Sequence, residues 1–384
     1  MNAKYPPLRK FVMPETIYGW GAADLAGDYA ANFGAKRVLV VTDPGVAAAG
    51  WTGLVCNSLH VAGIETVIFD GVTQNPRDYE VMAGAELYRA EECDIILAVG
   101  GGSPMDCAKG IGIISTNHSN ILTFEGVDKV LVPCPPLICV PTTAGTSADV
   151  SQFAVILDVS RRVKIAIISK SVVPDLALID PQVTCTMSPE LTAATGMDAF
   201  VHAVESYISV AGSPLTDLHA LEAVRLIAGS LTGAVQHPDD VRLRDSMMQG
   251  SLHAGLAFSN ASLGLVHAMA HSIGGFFDLP HGECNAILLD HVLAYNFNAS
   301  PERYGKIARN MGAKGKGPVT REELILAVRQ MKESIGFTST LSDLGVVSGD
   351  LAVLAEHAKA DPCIATNPVQ PTTEEIIAIY ESAF

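Results

Sequence analysis

The sequence has no cluster of lysine or arginine: 25 basic residues are spread among 41 acidic ones, giving a formal charge of −16. A surface built for nucleic acid or an anionic membrane needs a basic patch, so neither partner is expected. The eight cysteines, at positions 56, 93, 107, 134, 139, 185, 284 and 363, include no CxxC pair and no small-scaffold spacing. They read as reduced thiols packed as small apolar residues. Pro, Gly or Asp interrupts the most apolar windows before membrane-spanning length, and MNAKYPPLRKFVMPETIYG lacks the apolar core of a signal peptide. Internal repeats and low-complexity segments are absent as well. The expectation is a soluble cytoplasmic protein with small neutral or metal-chelated ligands.

What is present is enough apolar material, 48% of 384 residues, to fill two cores. The first half alternates short apolar runs with helical stretches. RVLVVTD (37–43), ETVIFD (65–70), DIILAVG (94–100), LICVPTT (137–143) and LALID (176–180) read as strands covered on both faces. Val46–Ala62, Arg77–Glu91 and Pro104–Ser115 have helical spacing between them. Beyond Thr186 the apolar residues recur at three- and four-residue spacing, and Ser188-Pro189-Glu190 and Ser213-Pro214 are sound helix starts. The pattern predicts an α/β N-terminal dinucleotide-binding domain with a mostly parallel sheet, residues 1–185, and an all-α C-terminal metal-binding domain, residues 186–384. A cleft between them is the natural site.

One end of that cleft is written in DIILAVGGGSPMDCAKGIGI, a buried strand running into Gly100, Gly101, Gly102 and Ser103 and then a helix. Such a loop is either a tight turn or a pyrophosphate cradle, in which glycines let the backbone approach and a helix N-terminus favours negative charge. It is not GxGxxG. Asp43, ending VLVVTD, is either a turn aspartate or an acceptor for ribose hydroxyls that repels the extra phosphate of NADP. PTTAGTSAD adds Thr142, Thr143 and Thr146 at the same sheet edge.

The other end is written in GMDAFVHAVESY and SLGLVHAMAHSIGGFFDLPHGECNA. Asp198 and His202 are four residues apart, as are His267 and His271, so each pair shares a helix face. His281 is expected on a loop after the helix breaks at Gly274-Gly275. A single histidine of this kind is more often a satisfied core residue. An aspartate and several imidazoles in apolar surroundings point instead to a cation, which would offset the cost of burying Asp198. The donor set suits Fe(II), Zn, Mn or Ni.

GGGSPMDCAK, PTTAGTSADVSQFAVI, GMDAFVHAVESY and GLVHAMAHSIGGFFDLPHGECNAILLDHVLAYN together resemble the signature segments of the iron-containing (group III) alcohol dehydrogenase family, over essentially the whole chain. The resemblance implies metal ligation by Asp198, His202, His267 and His281. It implies NAD(H) contacts from Asp43, Gly100 to Ser103, Thr142, Thr143 and Thr146, with Asn75, Asp106, Lys109, Lys164 and Leu178 lining or supporting the cofactor cleft. His271, Phe258 and Cys363 match positions near the substrate, and His271 is the candidate proton relay. The implied activity is NAD-dependent interconversion of short primary alcohols or diols and aldehydes by a homodimer or larger homo-oligomer.

Ala148-Asp149 and Glu283-Cys284 depart from the commonest family wording and are similar to an ErcA-type regulatory subgroup. A sensing protein that binds NAD(H) and metal with little turnover is therefore the alternative function. A glycerol-dehydrogenase- or dehydroquinate-synthase-like enzyme is a further alternative. The second of these would want several Lys or Arg at the metal end, which offers almost none.

Overall fold

In the computed structural model, which describes residues 8–315 and 317–384, sheet and helix are segregated along the chain. The first seven residues of the N-terminal stretch read above lie outside the described residues. The strands are β1 (Glu15–Tyr18), β2 (Arg37–Val41), β3 (Glu65–Phe69), β4 (Ile95–Gly100), β5 (Gly126–Val127), β6 (Leu137–Pro141), β7 (Phe153–Asp158), β8 (Val163–Ile168) and β9 (Leu176–Ile179). Six of them form a fully parallel sheet in the order β1-β9-β6-β4-β2-β3.

Both faces of the central strands are covered, as continuous β-branched runs require, whereas edge strand β3, also expected to be covered, is largely exposed. The helices of this half are α1 (Ala26–Asn32), α2 (Pro44–Ala48), α3 (Trp51–Val61), α4 (Asp78–Ala90) and α5 (Gly102–Asn117). Val38 and Val40 of β2 pack with Ala26 and Ala30 of α1 and with Val55 and Leu59 of α3. Leu39 and Val41, pointing the other way, pack with Val81 and Ala85 of α4 and Ile111 of α5. The winding direction reverses at β2, which has β3 on one side and β4 on the other. Ligands of open α/β sheets bind outside the carboxyl ends of strands at such a reversal. Asp43 follows β2 there, and the glycine loop follows β4.

The structure departs from expectation in three places here. The helix expected over Val46–Ala62 is two, because Gly50 adopts a left-handed φ of 91° between α2 and α3. β1 was not foreseen. Nor was the second sheet, β5-β8-β7, whose β7 and β8 form an antiparallel hairpin. FAVILD and VKIAII are short, mostly apolar runs, and periodicity alone does not separate such a strand from buried helix.

The sheet half ends at a short 3-10 turn, Pro181–Thr186, and the chain continues as α6 (Pro189–Ile208), α7 (Pro214–Gln236), α8 (Val241–Ala261), α9 (Leu265–Phe277), α10 (His281–Asn296), α11 (Pro301–Asn310), α12 (Arg321–Ser334), α13 (Leu351–Ala360) and α14 (Thr373–Ser382). The expected caps are made: Ser188 Oγ accepts from Leu191 N at 3.2 Å and Ser213 Oγ from Thr216 N at 3.2 Å. Helix α7 is long and apolar enough by composition to cross a membrane. Its Ala220, Ala223, Val224, Ile227 and Leu231 are nevertheless buried in the helical core with residues of α6 and α8. It is a core helix of this half.

Helix α9 does not break at Gly274-Gly275. A Cβ on Gly275 would lie 2.9 Å from the Lys164 backbone nitrogen, and one on Gly274 would lie 3.0 Å from Lys164 Nζ. The glycines let α9 pack directly on β8, and the helix stops at Asp278, whose φ is 57°. His281 is accordingly not on a loop but is the first residue of α10.

Candidate active site

A cleft of about 860 Å³ separates the two halves and runs from Asp43 and the glycine loop to the histidines. At its first end Gly100 has a φ of 154°, and a Cβ there would sit 2.6 Å from Pro104. A Cβ on Gly102 would lie 2.9 Å from Thr146. The turn is thus closed to side chains, and α5 begins with no side-chain cap on its first N–H groups. Gly101, Gly102, Ser103, Thr142, Thr143 and Thr146 all face the cleft, so uncapped N–H donors and hydroxyls share one edge, a cradle suited to a pyrophosphate. Asp43 both lines the cleft and caps α2, accepting from Val46 N at 2.9 Å.

Asn75, with a φ of 56°, lines the cleft and donates to Asp278 Oδ1 at 2.8 Å across it. Asp106 lines it too, and burial raises its carboxyl to about 6. Lys164 faces the cleft from β8. Lys109 does not line the cleft. It is 1% exposed and donates to Ser151 O, Ser151 Oγ and Phe153 O at 3.0, 3.1 and 2.6 Å, bracing the segment that follows the threonine loop. Three further expectations need correcting. Leu178 is a fully buried residue of central strand β9, packed in the sheet core rather than on the cleft wall. Cys363, 1% exposed, packs with Phe153, Phe258, Leu263 and Ala268 behind the wall, and its thiol is pushed well up by burial. Gly100 shapes the turn without lining the cleft.

At the other end three imidazoles converge on one carboxylate oxygen. Asp198 Oδ1 lies 3.7 Å from His202 Nε2, 3.6 Å from His267 Nε2 and 3.5 Å from His281 Nε2. Ligands about 2.1 Å from a tetrahedral cation stand about 3.4 Å apart, so these four fit a divalent ion. Electrostatics agree. Asp198 is held far below the usual carboxylate range despite its burial, by His202, His281 and His267. Burial pushes His202 down to about 4 and His281 well below its ordinary value. Burial also opposes a charge on His267, but hydrogen bonds with Asp198 and Glu205 outweigh it and lift the ring to about 9. His271 lies one turn beyond His267, lines the cleft, stacks on His281 with ring centroids 5.1 Å apart and places Nδ1 2.8 Å from Asp361 Oδ2. Phe258, which lines the same end, stacks on His202 at 4.3 Å.

Three residues of this site were not singled out from the sequence. Asn285 is fully buried one turn after His281, and its Nδ2 donates to Asp198 Oδ1 at 2.8 Å and lies 3.2 and 3.1 Å from Nε2 of His267 and His281. Glu205 reaches His267 Nδ1, and Asp361 reaches His271. The signal for Glu205 was the one used for Asp198: a carboxylate in an apolar helix, three residues after His202.

The model of the iron-containing alcohol dehydrogenases matches residues 14–181, and that of the Fe-containing alcohol dehydrogenase family's C-terminal part matches residues 192–384. A 1,3-propanediol dehydrogenase of Klebsiella pneumoniae is 43% identical over 374 residues, 96% of each chain. A crystal structure of 1,3-propanediol oxidoreductase superposes with a TM-score of 0.95 at 41% identity, over 98% of this chain and 100% of that one. A sulfoacetaldehyde reductase of Bifidobacterium kashiwanohense, solved in complex with NAD+, gives 0.88 at 29% identity, over 98% and 99%. With both halves matched at this level, the chain belongs to the iron-containing alcohol dehydrogenase family.

Proposed function

We propose that this protein is a metal-dependent NAD(H) alcohol dehydrogenase interconverting short primary alcohols or diols and aldehydes, with residues 1–185 binding the dinucleotide and residues 186–384 the cation. The observation that carries this reading is the convergence of three imidazole Nε2 atoms on Asp198 at the end of a cleft that starts at an uncapped helix and a glycine turn. A divalent cation such as Fe(II), held by Asp198, His202, His267 and His281, supplies Lewis acidity toward the alcohol oxygen, and NAD supplies the hydride acceptor.

The chain's own residues do the rest. Gly101, Gly102, Ser103 and the threonine loop hold the pyrophosphate, and Asp43 receives ribose hydroxyls. Asn285 steadies the Asp198 carboxylate through its Nδ2 donor. His271 holds the departing proton at Nε2, because Nδ1 is engaged by Asp361. Phe153, Phe258 and Leu263 close the metal end with apolar surface, excluding water and favouring a short carbon chain. The chain's relatives carry the names of dehydrogenases and reductases, and no observation favours the regulatory alternative. By resemblance the enzyme works in the cytoplasm as a homodimer or larger homo-oligomer, a state that light scattering reads directly.

The test is NADH formation by anaerobically prepared, Fe(II)-loaded protein with short primary alcohols and diols, beside an Asp198→Ala control. Turnover lost in the control is the expected result. No turnover despite stoichiometric metal and NAD binding would refute the assignment.

A further inference from the structure

Glu205 is 1% exposed and, among the described residues, has no lysine or arginine partner; it meets three backbone N–H groups and the Nδ1 of His267. Its oxygens accept from the backbone nitrogens of Gly264 at 3.0 Å, Val266 at 2.6 Å and His267 at 3.4 Å, and Oε2 lies 2.7 Å from His267 Nδ1. These nitrogens belong to the start of α9, whose own N-cap residue, Gly264, offers no side chain. The remaining first-turn donor, Leu265 N, goes to Asn367 Oδ1 at 3.1 Å. Residue 264 has to lack a side chain: a Cβ there would lie 2.9 Å from Asn367 Oδ1 and 3.0 Å from Glu205 Oε1.

From this geometry we infer that Glu205 is a positioning residue of the metal centre, one carboxylate that caps α9 from a neighbouring helix and fixes the tautomer of His267. A carboxylate only accepts, so Nδ1 keeps its proton, and it is Nε2 that gives up its own when a cation binds and turns its lone pair to the ion. Helix α6 therefore supplies two ligands, Asp198 and His202, and also sets the orientation and protonation of a third on α9. The inference rests on the reading of Asp198, His202, His267 and His281 as ligands.

Glu205→Gln tests it with almost no change of shape. The glutamine oxygen can still take backbone N–H groups, but its NH₂ then faces His267 Nδ1 and drives the ring proton onto Nε2. Affinity for Zn(II), measured by competition with a chromophoric chelator, is expected to fall about 10- to 100-fold, with NADH affinity unchanged. Asn367→Ala removes the other cap of α9 without touching the tautomer. It is expected to lower the thermal midpoint and leave Zn(II) affinity at the wild-type value. Equal Zn(II) affinity in wild type and Glu205→Gln, or an equal loss in Asn367→Ala, overturns the inference. A wild-type protein that binds no Zn(II), or an Asp198→Ala variant that binds as well as wild type, would instead overturn the ligand reading beneath it. Should Glu205→Gln fail to fold, ¹⁵N NMR of zinc-loaded wild-type protein decides: a proton on His267 Nδ1 supports the inference, and its absence refutes it.

Discussion

Gly282 follows His281 in the first turn of α10, and a Cβ placed on it would lie 2.3 Å from the carbonyl oxygen of Ala194 and 2.8 Å from its carbonyl carbon. Those are backbone atoms of α6, one turn before Asp198, so no side-chain rotation relieves the contact. An ordinary carbon–oxygen approach is about 3.3 Å, and Gly282→Ala must drive α10 and α6 apart by about 1 Å at this point. The distance of 3.5 Å between His281 Nε2 and Asp198 Oδ1 would open with it. Ligand distances in a metal site tolerate deviations of only about 0.2 Å, and a misplacement of about 1 Å near reacting groups costs about 100-fold. Metal affinity and turnover of Gly282→Ala are therefore expected to fall together by about two orders of magnitude. Overpacking lowers the stability of the metal-free protein by only about 1–3 kcal/mol, and NADH affinity is retained because the cradle lies on the other half. Chelator competition gives the first quantity, steady-state kinetics the second and denaturant titration the third. A folded Gly282→Ala protein with wild-type metal affinity would refute the claim that this helix contact sets the ligand spacing.

Three other outcomes follow from the same structure. Asp361→Asn keeps an acceptor for Cys363 N, now 2.7 Å from Oδ1, and turns its NH₂ toward His271 Nδ1, so the ring proton moves to Nε2. The expected kcat loss is about 100-fold at unchanged metal content, and an unchanged kcat would remove His271 as the proton acceptor. Asp43→Ser keeps a cap for α2 but removes the charge. The ratio of kcat/KM for NADP to that for NAD should rise about tenfold, equivalent to about 1.4 kcal/mol, and a constant ratio would show that Asp43 does not face the ribose. Phe258→Ala opens the wall beside His202, and each methylene accommodated is worth about 1–3 kcal/mol. Pentanol should gain on propanol in kcat/KM by at least tenfold, and an unchanged preference would place the chain-length limit elsewhere.

Much of the site was legible because local spacing carried it. Asp198 with His202 and His267 with His271 share a face whatever surrounds them, since four residues are one helical turn. The triple glycine was legible for the same reason: Gly100 needs a conformation closed to other residues, and the strand before it is unmistakable. What stayed hidden depends on elements crossing in space. Asp361 meets His271 from 90 residues away, and Glu205 meets α9 only where two helices cross. Cys363 and Leu178 sit in conspicuous positions of their segments, but packing turned one behind the pocket wall and the other into the sheet core. Asn285 stands four residues after His281, the spacing that identified the other pairs, yet an amide does not advertise itself as a carboxylate or an imidazole does.

The crossing that matters most joins the two ends of the cleft. Asn75 and Arg77, beside the cofactor edge, reach Asp278 at 2.8 and 2.9 Å. Arg162, on the turn of the β7–β8 hairpin, lies over the Phe276 ring at 4.0 Å and also donates to the Phe276 carbonyl. Residues 276 and 278 lie at the end of α9, and His281 begins α10 three residues after Asp278. The sheet half thus grips the connection between the helix that bears His267 and His271 and the helix that bears His281. Asn75 also faces the cleft, so a residue of the cleft wall holds the segment leading to His281. The separation between the dinucleotide cradle and the cation is therefore set by side-chain contacts across the cleft as well as by the turn at 181–186. With a dinucleotide in the cradle and a cation among Asp198, His202, His267 and His281, these contacts would fix the distance that hydride transfer between the two ends requires.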